Sequence, residues 1–410
     1  QGRRWATYRV AIQDETVVRE SMLWGRRDRA MGEQYPGRFI GEAAGDHVRF
    51  QLYRPQTVLV GTFRCRFRLE GPWLSVEILE VDDTIPSLVY PPPFESEALV
   101  LPRGGGRLVR NDSPSIYSGI YSRRFLQFFD EMPMRFVAGL RGDHGWLCAY
   151  DLDSVDAGGM LVNGQVAPVW LRSLGRWQGR YRAFYGFTGN GYVGIAKRFR
   201  QYAMVHGLFK SLREKLDENP EVGRLLGGRA LQFMNFKSKG YPETRESYWA
   251  TDAQMQAYDE DHILFTFDDV LEKVALARER MGFKKGMVLL RGWMHGGYDS
   301  THPDNWPVED RLGGQAGLET VMALRDRYLT VLHDNYQDYY PTTPSFPKGV
   351  LVRENGQLMS GGMWIGKQCN ITNSRDAARL AQRNWELVRQ LGTSGYFVDC
   401  TPCNPLHESY

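Results

Sequence analysis

The sequence predicts an α+β multidomain chain: a β-sandwich domain over residues 1–190, a linking helix within 191–228, and a (β/α)8 barrel over 229–410 of which about four strands are present. Three observations predict it. Short runs of period-two apolar alternation between Gly/Pro breaks fill the first half. The period then changes to helical spacing near residue 193. Beyond residue 230, apolar strand-like runs alternate with amphipathic helices, the pattern of a parallel sheet.

In the first half, Trp5–Ile12, Val48–Tyr53, Thr57–Leu69 and Trp73–Val81 alternate, the last coming directly after the Glu70-Gly71-Pro72 turn. Gly104-Gly105-Gly106 and Asn111-Asp112-Ser113-Pro114 punctuate the stretch beyond Val81. Many short strands with such turns indicate a sandwich. From Val193 to Leu212 apolar residues recur at helical spacing until Asn219-Pro220 stops the pattern, which predicts one helix over 193–218.

In the second half the predicted strands are Ala230–Phe236, Gly286–Trp293, Leu329–Leu332 and Tyr396–Val398. The helices between them are Thr266–Met281, Leu318–Arg327 and Ser374–Leu391, with Gly282 and Gly392 as stops and Asn373 or Ser374 as a cap. Four strands do not close a barrel of eight, so the chain reads as a fragment of one.

Composition excludes several classes. The 410 residues are 42% hydrophobic, and 51 basic residues balance 48 acidic ones for a net charge of +3 with no basic stripe, so nucleic acid is a poor partner. No window is apolar enough for a membrane span. The five cysteines are scattered; Cys400 and Cys403 form a C-x-x-C without a second pair, which is neither a disulfide framework nor a zinc signature. No metal or cofactor is expected: His333, Asp334 and Asp338 match no ligand spacing. The chain begins Gln1-Gly2-Arg3-Arg4 without Met or a visible signal peptide, which suggests a processed or engineered start; a secreted or periplasmic location is the favoured expectation.

Chemistry in a (β/α)8 enzyme sits at strand C-termini and the loops beyond them. Here those positions carry Trp293, His295, Asp299, His302 and Asp304, then His333, Asp334 and Asn335, then Asp399, with Trp364 in the loop before the fourth strand. An Asp directly after a buried strand is rigidly placed, as a nucleophile must be. Retaining glycoside cleavage needs one such carboxylate and a second carboxyl group about 5 Å away. Asp, His and Asn would hold sugar hydroxyls, and Trp293 or Trp364 would stack on a sugar face. Each has a plainer alternative: Asp299, Asp304 and Asp334 as loop caps, His302 as a turn residue before Pro303, His333 and Trp364 as core.

Several stretches resemble glycoside hydrolase family 101, the endo-α-N-acetylgalactosaminidases, and the related family 129. They are His295-Gly296-Gly297-Tyr298-Asp299, His302-Pro303-Asp304, Arg311-Leu312-Gly313-Gly314, Val331-Leu332-His333-Asp334-Asn335 with Tyr340-Pro341, Trp364 ahead of Asn370-Ile371-Thr372, and Tyr396-Phe397-Val398-Asp399. The resemblance implies a retaining hydrolase of α-N-acetylgalactosaminides of mucin-type O-glycans, with Asp399 as nucleophile and Asp299, His302 and Asp304 on the sugar ring. It places the acid/base on a Glu of a fifth strand beyond Tyr410; within the chain Glu408 is the nearby carboxylate. Asp334 departs from the family. An α-galactosidase or other α-hexosidase, and an inactive carbohydrate-binding protein on the same fold, are the alternatives. The implied partner is a carbohydrate, as a free α-glycoside, an O-glycan or a glycopeptide.

Overall fold

The computed structural model describes residues 5–11, 34–53, 58–85, 87–103, 105–110, 125–127, 132–151, 157–162, 164–178, 181–240, 260–365, 367–400 and 407–410. The chain divides into two compact units, with the main boundary between Lys210 and Ser211.

In the first unit, the described residues form an antiparallel sheet of ten strands and a second of four. The larger sheet carries Leu59–Glu70, Trp73–Val81, Tyr181–Thr188, His144–Tyr150 and Phe136–Arg141 at its centre. The smaller one is built on Ser87–Val89, Gln165–Leu171 and Ala157–Val162, with Phe125–Gln127 at its edge. One apolar core joins the two sheets: Phe63, Val76, Val137 and Tyr185 from the larger, Leu88, Met160 and Trp170 from the smaller. The run Phe136-Val137-Ala138-Gly139-Leu140 is buried throughout because both of its faces are covered. Val137 enters the inter-sheet core, while Phe136, Ala138 and Leu140 pack against Ile195 and Tyr202 of the helix Gly191–Val205.

That helix corrects one expectation. The single helix expected over 193–218 is two. The first ends at Val205, where Gly207 takes a φ of +68°, and it lies on the first unit's sheet, with the Tyr202 hydroxyl donating to the Tyr150 carbonyl at 2.9 Å. The second, Leu212–Glu218, starts afresh on a Ser211–Glu214 capping box. Apolar spacing ran through the break because glycine's freedom to reverse the chain does not interrupt a hydrophobic pattern.

The second unit is built on a parallel sheet in sequence order, Arg229–Met234, Gly286–Arg291, Leu329–Asn335 and Gly395–Asp399. The helices Phe267–Met281, Gly314–Met322 and Ser374–Val388 lie in the connections. Thr266 and Asp269 cap the first helix reciprocally, and Gly282 ends it at a φ of +64°. Val288, Leu290 and Leu332 face the helices in one large core with Val270, Val274, Leu318 and Val388. Leu289, Leu329 and Val331 line the opposite face with Met287 and Phe397. Four strands pair among the described residues, open at both edges; they do not form a closed barrel. A three-stranded antiparallel insertion, Asp338–Tyr339, Ser360–Trp364 and Lys367–Ile371, lies between the third and fourth parallel strands.

Candidate active site at the strand ends

Strand geometry decides what each candidate does. Side chains alternate across a sheet, and Leu332 faces the helices. His333 and Asn335 therefore share the inner face with Val331, while Asp334 points to the helix side. Register carries the rule across: His333 pairs with Phe397 and Asn335 with Asp399, which places Asp399 on the inner face and Tyr396 on the helix side.

Asp399 is one-third exposed, and its Oδ2 lies 3.3 Å from His333 Nε2. Its Oδ1 accepts the Cys400 backbone N–H at 3.0 Å. The His333 hydrogen bond holds this carboxyl below the usual carboxylate range, against the upward push of partial burial. His333 itself is fully buried. Burial keeps its imidazole below the ordinary histidine range despite the Asp399 contact. A neutral ring donating Nε2–H therefore holds Asp399 ionised and aimed. The Tyr298 ring covers His333 at 5.0 Å, Phe397 stacks on it at 5.8 Å, and the Arg291 guanidinium lies 5.3 Å from the Phe397 ring centre.

Asp299 reaches the same region from the loop after the second strand. It is 6% exposed, takes a φ of +49°, and its Oδ1 has no partner among the described residues. Burial pushes its carboxyl up to about 7, so at neutral pH it both donates and accepts. The loop is seated tightly on the first strand's end. Tyr298 N–H donates to the Phe236 carbonyl at 2.9 Å. A Cβ on Gly292 would lie 2.3 Å from that same oxygen, and one on Gly297 2.6 Å from the Phe236 ring.

Lys367, which sequence reasoning passed over, is buried in the insertion with Nζ donating to the Ser238 carbonyl at 3.2 Å. Burial pushes its ammonium down to about 8, with Asp299 and Asp261 pulling the other way. A lysine in a short hairpin carries no signal by itself; only its burial marks it. Tyr298 and Arg291 were legible as strand-end residues but are ordinary in composition.

Several expected sugar contacts sit elsewhere. Trp293 is completely buried, and its indole N–H donates to the His333 carbonyl at 2.9 Å. It offers no face to a ligand because it closes the helix-side core. Asp334 is likewise fully buried. It accepts from His302 Nδ1 at 3.1 Å, Asn305 Nδ2 at 2.6 Å, the Tyr396 hydroxyl at 2.6 Å, the Asn335 N–H at 2.8 Å, Asn384 Nδ2 at 3.4 Å and the Tyr336 hydroxyl. His302 is buried with it. Asp304 binds Arg383 at 2.6 Å and the Ser345 N–H at 2.9 Å, tying the loop to the helix Ser374–Val388. Asn335 uses its amide on its own turn, accepting from Gln337 N–H and donating to Asp338 at 2.8 Å each. His295 is exposed, 3.7 Å from Glu309. Trp364 is partly exposed at the tip of the insertion, beside Ile365 at a φ of +48°. Glu408 accepts from the Tyr410 hydroxyl at 3.1 Å, and no hydrogen bond among the described residues joins it to Asp399. Cys403 lies outside the described residues.

The second unit thus carries a parallel strand–helix sheet with a histidine-held carboxylate at the tip of its fourth strand. Residues 236–398 match the family model described as endo-α-N-acetylgalactosaminidase, glycoside hydrolase family 101. Over this segment the chain is similar to family 101. Two solved structures of the α-N-acetylgalactosaminidase NagBb from Bifidobacterium bifidum share its fold. The complex with Gal-NHAc-DNJ superposes at a TM-score of 0.75 with 21% identity over 94% of this chain and 67% of that one. The GalNAc complex gives 0.74 and 22% over 90% and 62%. The chain thus spans about two thirds of the length of these structures, and in the second case less.

Proposed function

We propose that this protein is a retaining glycoside hydrolase that cleaves α-linked N-acetylgalactosamine, with Asp399 as nucleophile. The observation that carries the reading is the ionised, partly exposed Asp399 at the end of an inner-facing strand, held by a neutral His333. The family 101 match over residues 236–398, which includes His333 and ends one residue before Asp399, and the fold shared with a GalNAc-binding enzyme support it. In this reading the four parallel strands are the first half of a (β/α)8 barrel, continued past the edge strand Gly395–Asp399, where Val398 is 39% exposed.

Asp399 attacks the anomeric carbon as the bond to the leaving oxygen breaks. A second carboxyl group, about 5 Å away, protonates that oxygen. Water, deprotonated by the same group, then displaces Asp399 and regenerates its carboxylate. Asp299, able both to donate and to accept, holds ring hydroxyls from the neighbouring loop, and the partly exposed Trp364 supplies a stacking face. O-glycans and glycopeptides are the substrates that fit this reading.

The test is release of nitrophenol from 4-nitrophenyl α-N-acetylgalactosaminide and the matching α-galactoside, with the first-formed anomer followed by proton NMR. The expected result is turnover of the acetamido sugar and initial release of the α anomer. Folded protein that cleaves neither glycoside, or a β anomer released first, overturns the proposal.

A further inference from the structure

Behind the inner face lies a second layer of charge that glycoside cleavage as described does not use. Asp334 is a fully buried carboxylate with six donors on it. A carboxylate tying a loop to a helix needs one or two donors; six fix the position and charge of this one more strongly than packing requires. They come from the loop after the second strand (His302, Asn305), the third strand and its turn (Asn335, Tyr336), the helix Ser374–Val388 (Asn384) and the fourth strand (Tyr396). The His302 ring, held on Asp334, lies 5.5 Å from the His333 ring in an edge-to-face arrangement. His333 in turn lies 3.3 Å from Asp399. A continuous line of contacts thus runs from the helix side of the sheet to the reacting carboxylate.

We propose that Asp334 is a positioning residue for Asp399, acting through His302 and His333. The proposal rests on Asp399 being the reacting group. Paired with Asp334, His302 carries its charge inside the protein and presses a positive ring edge toward His333. Two imidazolium rings at that separation repel, so His333 stays neutral and keeps its proton on Nε2, where it serves Asp399. The protonation of one imidazole is then set by the partner of another, two residue layers from the substrate.

The groups facing each ring agree with this. His302 meets Asp334 directly and feels Asp299 and Asp338 through space. Burial pushes it down, yet Asp334 outweighs burial and raises it above the ordinary histidine range. His333 faces Asp399, His302, Asp334 and the Tyr298 ring, and burial with the His302 charge keeps it low. Burial pushes Asp334 up, but its hydrogen bonds from His302, Tyr336 and Tyr396 prevail and hold it below the carboxylate range.

The experiment pairs kinetics with histidine spectra of D334N and H302Q, each on the whole protein with 15N-labelled histidine. In D334N the His302 signal is expected to lose its imidazolium signature, and the His333 titration to move to higher pH. The kcat on the nitrophenyl glycoside should fall by about tenfold to a hundredfold with KM within about threefold, and the acidic limb of its pH profile should shift in the same direction as His333. H302Q should give the same His333 shift and keeps the test available if D334N does not fold. Histidine spectra are read without substrate, so a protein that hydrolyses no glycoside still reports on the relay. An unmoved His333 titration in a folded variant overturns the proposal, whether activity is kept or lost, since loss alone would mark a structural role.

Discussion

The two faces of the strand Leu329–Asn335 carry neighbouring residues with opposite fates. On the helix side, Asp334 has no exposed surface and more donors than its two oxygens need. On the inner side, the carboxylate that His333 holds, Asp399, is one-third exposed, with His333 Nε2 at 3.3 Å. The contrast teaches how to read acidic residues at strand ends. A carboxylate surrounded by buried donors organises the protein, whereas a partly exposed one beside a neutral imidazole stays ionised where solvent and ligands reach it.

That comparison is breakable. The largest effect belongs to Asp399→Asn: turnover should fall by at least about 1,000-fold while the denaturation midpoint is unchanged, because only a covalent step is lost. Steady-state kinetics with urea unfolding on one preparation checks both halves. Asp334→Leu should do the reverse first, lowering stability by about 3–5 kcal/mol as His302 and two tyrosines lose their buried acceptor; a calorimetric melt within a degree of the parent would refute the hub.

Asp299 gives a smaller, pH-dependent effect. Its carboxyl titrates at about 7 in the folded chain against a reference of 3.8. The unfolded chain thus releases this proton first as pH rises, so the stability this group contributes is complete below about pH 4 and is lost progressively up to about pH 7. Urea titrations at pH 5 and 7 should show the parent losing on the order of 2 kcal/mol relative to Asp299→Asn over that interval. Parallel pH dependence in the two proteins would contradict it. The smallest effect is that of Tyr396→Phe, which removes one 2.6 Å donor from Asp334: about 1 kcal/mol in the unfolding free energy, with Asp399 chemistry retained within about tenfold.

Much of this was legible beforehand. The parallel strands, the Gly282 and Gly392 stops and Asp399 at a strand end all come from spacing, whereas Thr266, read as the first residue of its helix, is its cap. The third strand runs to Asn335 rather than Leu332 because His-Asp-Asn at a strand end looks like loop until its pairing is known. The opposite facing of His333 and Asp334 was implicit in their being consecutive, yet a cluster of polar residues invites reading all of them as one site. Trp293 misled for a different reason: an aromatic just past a strand serves a ligand or a core equally well, and only the helices packed over it decide. Asn384 is the converse. It interrupts the buried stripe of Leu380 and Val388, a polar residue at a core position that announces a buried partner, here Asp334 and the Pro303 carbonyl.

Gly292 and Gly297 leave no space between their loop and Phe236. The Asp299 carboxyl is therefore indexed to the first strand as a pin is to its lock plate, and its placement is inherited from a part of the chain more than fifty residues earlier. For the proposed activity, changes aimed at sugar preference are better placed around Trp364, since any side chain larger than hydrogen at either glycine displaces the Asp299 carboxyl.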